Sequence, residues 1–212
     1  MAITFYYAPM SSATRCQIAL EELGVPYEKV HVQTGAGENR APAFLAINPN
    51  GKIPALVDGE QKIFESLAIL LHLGETYGVT RGLWPKAGTA DHGDALSWTV
   101  WGSTELAPAV MDHALHTSDA FRIAFPPDKR SPHVAEAARA RWDRTVGMLD
   151  ERLAGRDFVL GASYTLVDVA IVAQVMMGTM MGNLSLEAFA NVGRWVARCQ
   201  QRPAFMKVLS GA

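Results

Sequence analysis

Two adjacent hydroxyl residues, Ser11 and Ser12, stand where a β-branched and aromatic run ends and a helical pattern begins. The first N–H groups of a helix lack partners within it and carry partial positive charge, so an anion is favoured there. A serine hydroxyl at this point could donate a hydrogen bond to a bound thiolate. Lowering a thiol pKa from ~8.5 by two units requires roughly 2.7 kcal/mol, and one hydrogen bond to a charged group contributes about 1.5–3 kcal/mol. The alternative is that either serine only caps the helix.

Two further pairs of residues could bind a peptide-like molecule. Pro54 opens a strand after the dense turn at residues 48–51, where a residue without an N–H is tolerated. A cis bond before Pro54 would turn the Ile53 backbone outward to pair with an extended peptide, whereas an ordinary trans proline is the alternative. Glu65 and Ser66 stand where a strand gives way to a helix, and they could hold the ammonium and carboxylate groups of an α-amino acid. Ser66 could instead act only as an N-cap.

Other residues with reactive side chains are predicted to be structural. Thr165 and Asp168 have capping-box spacing at the start of the most apolar helix. Cys16 and Cys199 fall on apolar helix faces, which indicates core packing rather than reactivity. The six histidines are scattered without acidic or cysteine partners at ligand spacing, so no metal site is predicted. Arg15 is expected in a surface or interface ion pair.

The elements that must position these residues change character after residue 82. Alternating and β-branched runs predict strands at 3–7, 28–32, 54–57 and 61–64, of which the last two form a hairpin. Helical spacing predicts helices at 14–23, at 42–46 and from 66 to about 78. The first two strands, joined by a helix, are expected to be parallel with a right-handed connection.

Beyond a linker near 85–88 only helices are predicted. They cover residues 90–117, which Pro108 could bend, and then 131–155, 165–177 and 192–199, the last helix before Pro203. The methionines at 176, 177, 180 and 181 are expected to fill the core, with a pocket wall as the alternative.

Composition narrows the class of protein. The 212 residues carry 19 basic and 21 acidic side chains, and the formal net charge is −2. This balance argues against a nucleic-acid binder, which usually carries a basic patch. Two cysteines in no paired spacing, and a start without a signal-peptide pattern, predict a soluble cytoplasmic protein. The apolar helix at 165–177 is too short and too interrupted to span a bilayer, so no membrane partner is expected.

Several of these segments, taken together, resemble the cytosolic glutathione transferase superfamily. The resemblance covers nearly the whole chain and rests on the order and spacing of residues 6–12, 48–56, 64–69, 158–168 and 202–205. It implies a thioredoxin-like α/β N-terminal domain of order βαβαββα at residues 1–81, which binds glutathione. It also implies an all-α C-terminal domain at residues 89–212, which forms the pocket for the electrophile, and a homodimer.

The resemblance also assigns roles in binding glutathione. Pro54 is expected to be cis, and Ile53 is expected to pair with the cysteinyl part of the tripeptide. Glu65 and Ser66 would hold its γ-glutamyl end, and Lys52 would lie near the tripeptide.

The residue that stabilises the thiolate has three candidates under this resemblance. Ser11 corresponds to the catalytic serine of serine-type members, and Ser12 is the alternative register. Tyr7 is the third candidate, because its spacing to Pro9 resembles that of tyrosine-type members. Asn39 departs from the histidine that family members often carry near that position.

The expected activity is transfer of the glutathione thiolate, as co-substrate, to electrophilic and mostly apolar small molecules, as in detoxification. Met10 and helices around residues 101–121 would wall the second substrate, and no metal is required. The alternatives are a glutathione-dependent isomerase or dehalogenase on the same frame, and a non-catalytic binding or interaction module. A dithiol oxidoreductase is disfavoured, because Cys16 lies a turn inside its helix on the core face.

Overall fold

The computed structural model describes residues 3–123 and 125–210, and these form two compact units. One unit comprises residues up to 89 together with those from 203 onward, and the other comprises residues 90–202. The first unit contains a sheet flanked by helices, and the second is built from helices, which confirms the predicted fold class.

The first unit is organised by a mixed four-stranded sheet in the order β2-β1-β3-β4. Its strands are β1 (Ile3–Tyr7), β2 (Tyr27–His31), β3 (Ala55–Asp58) and β4 (Gln61–Phe64). β1 and β2 are parallel, as the connecting helix predicts, and the other pairs are antiparallel. Tyr6 lies opposite Ala55, which in turn lies opposite Phe64. The end of β1, the start of β3 and the end of β4 therefore meet at one edge of the sheet.

Three helices alternate with these strands along the chain. They are α1 (Ala13–Leu23) after β1, α2 (Pro42–Leu45) after β2 and α3 (Ser66–Leu73) after β4. α1 ends where Gly24 adopts a left-handed φ of 61° and donates its N–H to the carbonyls of Leu20 and Glu21. α3 is shorter than predicted, because it passes into a wider turn at Gly74–Gly78. α1 and α3 pack against each other, which brings the residues at their N-termini close together.

The second unit contains α4 (Ala90–Trp101), α5 (Ala107–Thr117), α6 (Pro132–Arg152), α7 (Leu166–Met181) and α8 (Ala190–Gln200). The helix predicted at 90–117 is interrupted by a π-helical turn at Gly102–Leu106. The interruption precedes Pro108, which lies in the first turn of α5, where its missing N–H costs nothing. Among the described residues, no helix combines the length and the apolar character needed to cross a bilayer.

The carboxylate of Asp168 is fully buried in the second unit and joins several of its segments by hydrogen bonds. It accepts hydrogen bonds from the Thr165 N–H at 2.8 Å, the Thr165 hydroxyl at 3.1 Å, the Val159 N–H at 2.9 Å and the Trp195 indole at 2.8 Å. The predicted capping box is thereby confirmed. Burial raises the pKa of the Asp168 carboxyl, and these four donors oppose that effect.

The core-filling prediction for the methionine cluster is wrong in part. Met176 is buried, but Met180, one turn further along α7, is 74% exposed. Met177 and Met181 are half-buried. The reason is that α7 completes its last turn beyond the apolar run that predicted it, and that turn emerges from the core.

A further helix, α9 (Pro203–Leu209), was not predicted, and it belongs to the first unit rather than the helical one. Phe205 is buried, and α9 packs against α1. The Lys207 ammonium donates to the Glu21 carboxylate at 2.7 Å. Pro203 ends the predicted pattern but is also well suited to begin a helix, because its missing N–H would have no helical partner there. The helical unit consequently ends at residue 202.

Candidate functional site

The edge where β1, β3 and β4 meet gathers most of the predicted binding residues. Ser12 follows β1, Ile53 precedes β3, and Glu65 with Ser66 follows β4. The Ser12 hydroxyl donates to the Ile53 carbonyl at 3.3 Å, across 41 residues of chain. The Ile53–Pro54 peptide bond is cis, as the family resemblance implied. The sheet register thus joins segments that are far apart in the sequence.

The two neighbouring serines have different surroundings. The half-buried Ser11 hydroxyl donates to the Ala8 carbonyl at 2.7 Å and accepts the Ala13 N–H at 3.2 Å, so it closes a local turn. Ser12 is exposed at the N-cap position of α1, and its side chain makes no capping hydrogen bond. Its bond to Ile53 is long and solvent-accessible, so a bound group could replace that acceptor at little cost.

Tyr7 lies on the β2 side of the same edge. Its ring is stacked 6.3 Å from Phe5 and lies 5.5 Å from the His31 ring, with the Lys29 ammonium 5.9 Å from its centroid. These contacts come from β1 and β2. Ser12, in contrast, contacts the residue before the cis proline on the β3 side.

Glu65 and Ser66 form the start of α3. Glu65 has a left-handed φ of 67°, which is uncommon for a residue other than glycine. Ser66 is buried, and its hydroxyl accepts a hydrogen bond from the Arg15 guanidinium at 2.7 Å. Sparsely populated backbone conformations of this kind are found often at functional sites.

The structure places Arg15 differently from its expected position. It is only 6% exposed, so the expected position at the surface is wrong. Burial lowers the pKa of its guanidinium, whereas the nearby Cys16 and Glu65 side chains raise it. Helical spacing carries no signal that would have placed it, because its hydrogen-bond partner Ser66 lies 51 residues further along the chain.

The turn that precedes Ile53 is held by side-chain hydrogen bonds to its backbone. The Asn39 amide donates to the Gly51 carbonyl at 2.7 Å, and the Arg40 guanidinium donates to the Asn50 carbonyl at 3.3 Å. Gly51 has a left-handed φ of 59° and lies directly against Asn39 and Arg40. Lys52 and Arg40 are both exposed, so two cationic side chains flank the turn and could attract a carboxylate.

The two cysteines confirm the prediction of core packing. Cys16 and Cys199 are both fully buried, and neither forms a disulfide. The Cys16 thiol donates to the Ser66 carbonyl at 3.5 Å, and burial raises its pKa to about 12. Because the thiolate is the nucleophilic form, Cys16 cannot supply a reactive sulfur near neutral pH. Within residues 3–123 and 125–210, no cluster of three or more His, Cys, Asp or Glu side chains is placed to hold a metal ion.

Comparison with known proteins adds independent information. The family model of the glutathione S-transferase N-terminal domain matches residues 1–75, and that of the C-terminal domain matches residues 112–203. The disulfide-bond oxidoreductase YfcG of Escherichia coli is 31% identical, with 95% of this chain and 92% of that protein covered. Glutathione S-transferase F10 of Arabidopsis thaliana is 28% identical over 98% of this chain and 96% of its own length.

A solved structure of a glutathione transferase from Burkholderia graminis, with two glutathione molecules bound per subunit, is 27% identical and has a TM-score of 0.85. The match covers 99% of this chain and 88% of that one. The two domain matches, their order along the chain and the cis-proline edge agree with one another. The chain therefore belongs to the glutathione S-transferase family.

Proposed function

We propose that this chain is a glutathione transferase in which the Ser12 hydroxyl stabilises the glutathione thiolate. The observation that carries the proposal is the 3.3 Å contact between the Ser12 hydroxyl and the Ile53 carbonyl at the N-terminus of α1. If the Ile53 backbone pairs with the cysteinyl residue of glutathione, the cysteine sulfur lies beside Ser12. Ser11 is less suited, because its hydroxyl hydrogen already bonds the Ala8 carbonyl at 2.7 Å.

The proposed binding mode assigns each part of the tripeptide to a described group. Glu65 and Ser66 hold the ammonium and carboxylate of the γ-glutamyl end. The Ile53 backbone pairs with the cysteinyl residue, and the exposed Lys52 and Arg40 attract the glycine carboxylate. The reactive sulfur thus comes from the bound tripeptide, because the Cys16 thiol is buried and its burial raises its pKa to about 12.

The proposed reaction is nucleophilic substitution or addition by the bound sulfur. The thiol proton is lost to solvent, and the thiolate is stabilised by the Ser12 hydroxyl and by the partial positive charge at the N-terminus of α1. The sulfur then forms a bond to an electrophilic carbon. In a substitution the leaving group departs with its electron pair, and in an addition the electron pair of the attacked double bond takes up a proton from solvent. Met10, which is 82% exposed next to Ser11, presents apolar surface for such a substrate. We assign the remaining electrophile contacts to the helical unit, and we expect a cytoplasmic homodimer acting in detoxification.

Substitution of each candidate donor tests the proposal. Ser12→Ala is expected to raise the pKa of bound glutathione by about one to two pH units, because a hydrogen bond to a charged group is worth about 1.5–3 kcal/mol. Ser11→Ala and Tyr7→Phe serve as matched controls and are expected to leave that pKa nearly unchanged. The measurement is a pH titration of thiolate ultraviolet absorbance at saturating glutathione. An unchanged titration in Ser12→Ala, with a shift in either control, would transfer the role to that residue.

A second candidate function is reduction of disulfides by glutathione. It is favoured by the 31% identity to a disulfide-bond oxidoreductase over 95% of this chain. The absence of an accessible cysteine in the site does not oppose it, because two glutathione thiols can supply both electrons. They transfer two electrons and two protons to the substrate disulfide, giving two substrate thiols and one glutathione disulfide. The relative from Burkholderia graminis, with two glutathione molecules per subunit, supports room for such a pair in this family.

One screen separates these functions. Retention on immobilised glutathione distinguishes a glutathione-binding protein from a non-catalytic interaction module without that site. The retained chain is then incubated with an aryl halide, an organic peroxide, a cis-enone and a small disulfide. A conjugate from the aryl halide supports the transferase or a dehalogenase, and isomerised enone supports an isomerase. Oxidation of glutathione to its disulfide, with release of two thiols from the disulfide substrate, supports the reductase. A retained chain that turns over none of them would contradict the proposed catalytic role.

A further inference from the structure

The contact between Arg15 and Ser66 joins two parts of the first unit that sequence patterns do not connect. The Arg15 guanidinium lies within α1 and is 6% exposed. It donates to the Ser66 hydroxyl at 2.7 Å across 51 residues of chain. A buried cation is costly unless hydrogen bonds and opposite charge compensate it. The burial of the Arg15 guanidinium therefore requires an explanation in terms of what this group does at its position.

The direction of this hydrogen bond determines what Ser66 can do. A hydroxyl has one hydrogen to donate and two lone pairs to accept with. Because the Ser66 oxygen accepts from Arg15, its own hydrogen is directed away from the guanidinium. Ser66 is therefore presented as a donor, which is the role needed to bind a carboxylate. Glu65, the neighbouring acid, interacts favourably with the Arg15 charge.

Arg15 also lies close to the proposed thiolate donor along its helix. Ser12 occupies the N-cap position of α1, and Arg15 is three residues further on, about one helical turn. The same helix thus carries the sulfur-binding hydroxyl at its start and the residue that orients Ser66 one turn later. In the proposed binding mode, α1 therefore acts on both the cysteinyl sulfur, through Ser12, and the γ-glutamyl carboxylate, through Arg15 and Ser66.

We propose that Arg15 is a positioning residue that fixes the Ser66 hydroxyl as a donor to the α-carboxylate of the γ-glutamyl group. The proposal rests on the proposed function, because it assumes that glutathione is the ligand. It predicts that Arg15 controls selectivity for that carboxylate, rather than serving only to stabilise the fold.

The test compares glutathione with γ-aminobutyryl-cysteinyl-glycine, which lacks only that carboxylate. Calorimetric titration of the full chain gives the affinity of each ligand for the wild type, Arg15→Gln, Arg15→Lys, Ser66→Ala and the double variant Arg15→Gln/Ser66→Ala. The wild type is expected to prefer glutathione by about tenfold to a hundredfold, as for one charge-assisted hydrogen bond. Arg15→Gln and Ser66→Ala are each expected to lose most of this preference. The double variant is expected to lose little more than either single variant, because both act on one interaction.

Two further readouts separate positioning from a structural role. Turnover at saturating glutathione is expected to stay near the wild-type value in Arg15→Gln, whereas the KM for glutathione rises by the same factor as its dissociation constant. Arg139→Gln is the matched control, since Arg139 is half-exposed on α6 and pairs with Asp143 at 3.5 Å. It is expected to bind both ligands as the wild type does.

The outcomes are distinct. If Arg15→Gln does not fold, Arg15→Lys and Ser66→Ala decide, because each is expected to reduce the preference for glutathione. Full wild-type preference in any folded Arg15 variant, or in Ser66→Ala, would overturn the proposal. A wild-type chain that does not bind glutathione at all would instead overturn the proposed function itself.

Discussion

Gly51 is the position where one added methyl group is expected to disturb the site most. Its φ of 59° lies in the left-handed region, and an added Cβ would lie 2.8 Å from the Asn39 carbonyl oxygen and 2.8 Å from the Arg40 guanidinium. The guanidinium can move aside, but the carbonyl belongs to the backbone. Relief of the clash would therefore shift Asn39 and weaken its 2.7 Å hydrogen bond to Gly51.

The chain offers two matched glycines that separate the contributions to this effect. Gly37 has a φ of 82° with open space around it, and Gly35 has open space and no left-handed φ. Left-handed backbone costs a residue with a side chain about 1–2 kcal/mol, so Gly37→Ala is expected to lose that amount of unfolding free energy. Gly51→Ala adds the clash and is expected to lose about 2–4 kcal/mol. Gly35→Ala is expected to be neutral, or more stable by up to about 1 kcal/mol.

Urea unfolding followed by circular dichroism measures these differences, with a common slope fitted to all variants. Under the proposed function, glutathione affinity should fall only in Gly51→Ala, because only this change displaces the turn that carries Lys52 and Ile53. A Gly51→Ala variant as stable as Gly37→Ala would refute the clash argument. Equal stability of all three variants would refute the argument from left-handed backbone as well.

Three further predictions follow from buried or partly buried groups. Asp168→Asn turns an amide donor toward groups that already donate, so it should lower the unfolding free energy by roughly 1–3 kcal/mol in thermal denaturation, and wild-type stability would contradict this. Cys16, whose burial raises its pKa to about 12, should resist iodoacetamide in the native chain and react only in urea; native alkylation would be the contrary result. Partial burial alone would raise the pKa of Asp58, but hydrogen bonds from Tyr77 at 2.7 Å and His72 at 2.8 Å hold it below its ordinary value. The stability that Asp58 contributes is present above its unfolded pKa of ~3.9 and is lost as the pH falls through its lower folded pKa. Asp58→Asn should therefore make the unfolding free energy less sensitive to acid below about pH 4. An unchanged pH profile of the unfolding curves would contradict this assignment.

The segments that meet at this edge of the sheet could be predicted because local signals mark each of them. The turn at residues 48–51, the hairpin and the serines at the end of β1 each mark a boundary, and strand pairing then brings the boundaries together. The distinction between Ser11 and Ser12 could not be predicted in the same way. Both are hydroxyl residues at a helix start, and only the backbone path decides that Ser11 bonds Ala8 while Ser12 bonds Ile53.

The position and partner of Arg15 could not be predicted from helical spacing alone. Periodicity identifies which face of α1 is apolar, and Cys16 on that face is buried as predicted. The spacing says nothing about a partner 51 residues away, so a charged residue beside Cys16 was assigned to the surface. The helix α9 was missed for a related reason: its seven residues are too few for a clear pattern, and its burial depends on α1.

The return of α9 to the first unit has a consequence for synthesis on the ribosome. Phe205 and Lys207 complete the surface of α1, yet they are translated only after the entire helical unit. At about 5–20 residues per second, the first unit waits on the order of ten seconds for its last helix. During that interval the α1 surface that α9 will cover is exposed. The growing chain therefore has a defined period in which this surface is open to chaperones or to non-native contacts, and it ends only when α9 emerges.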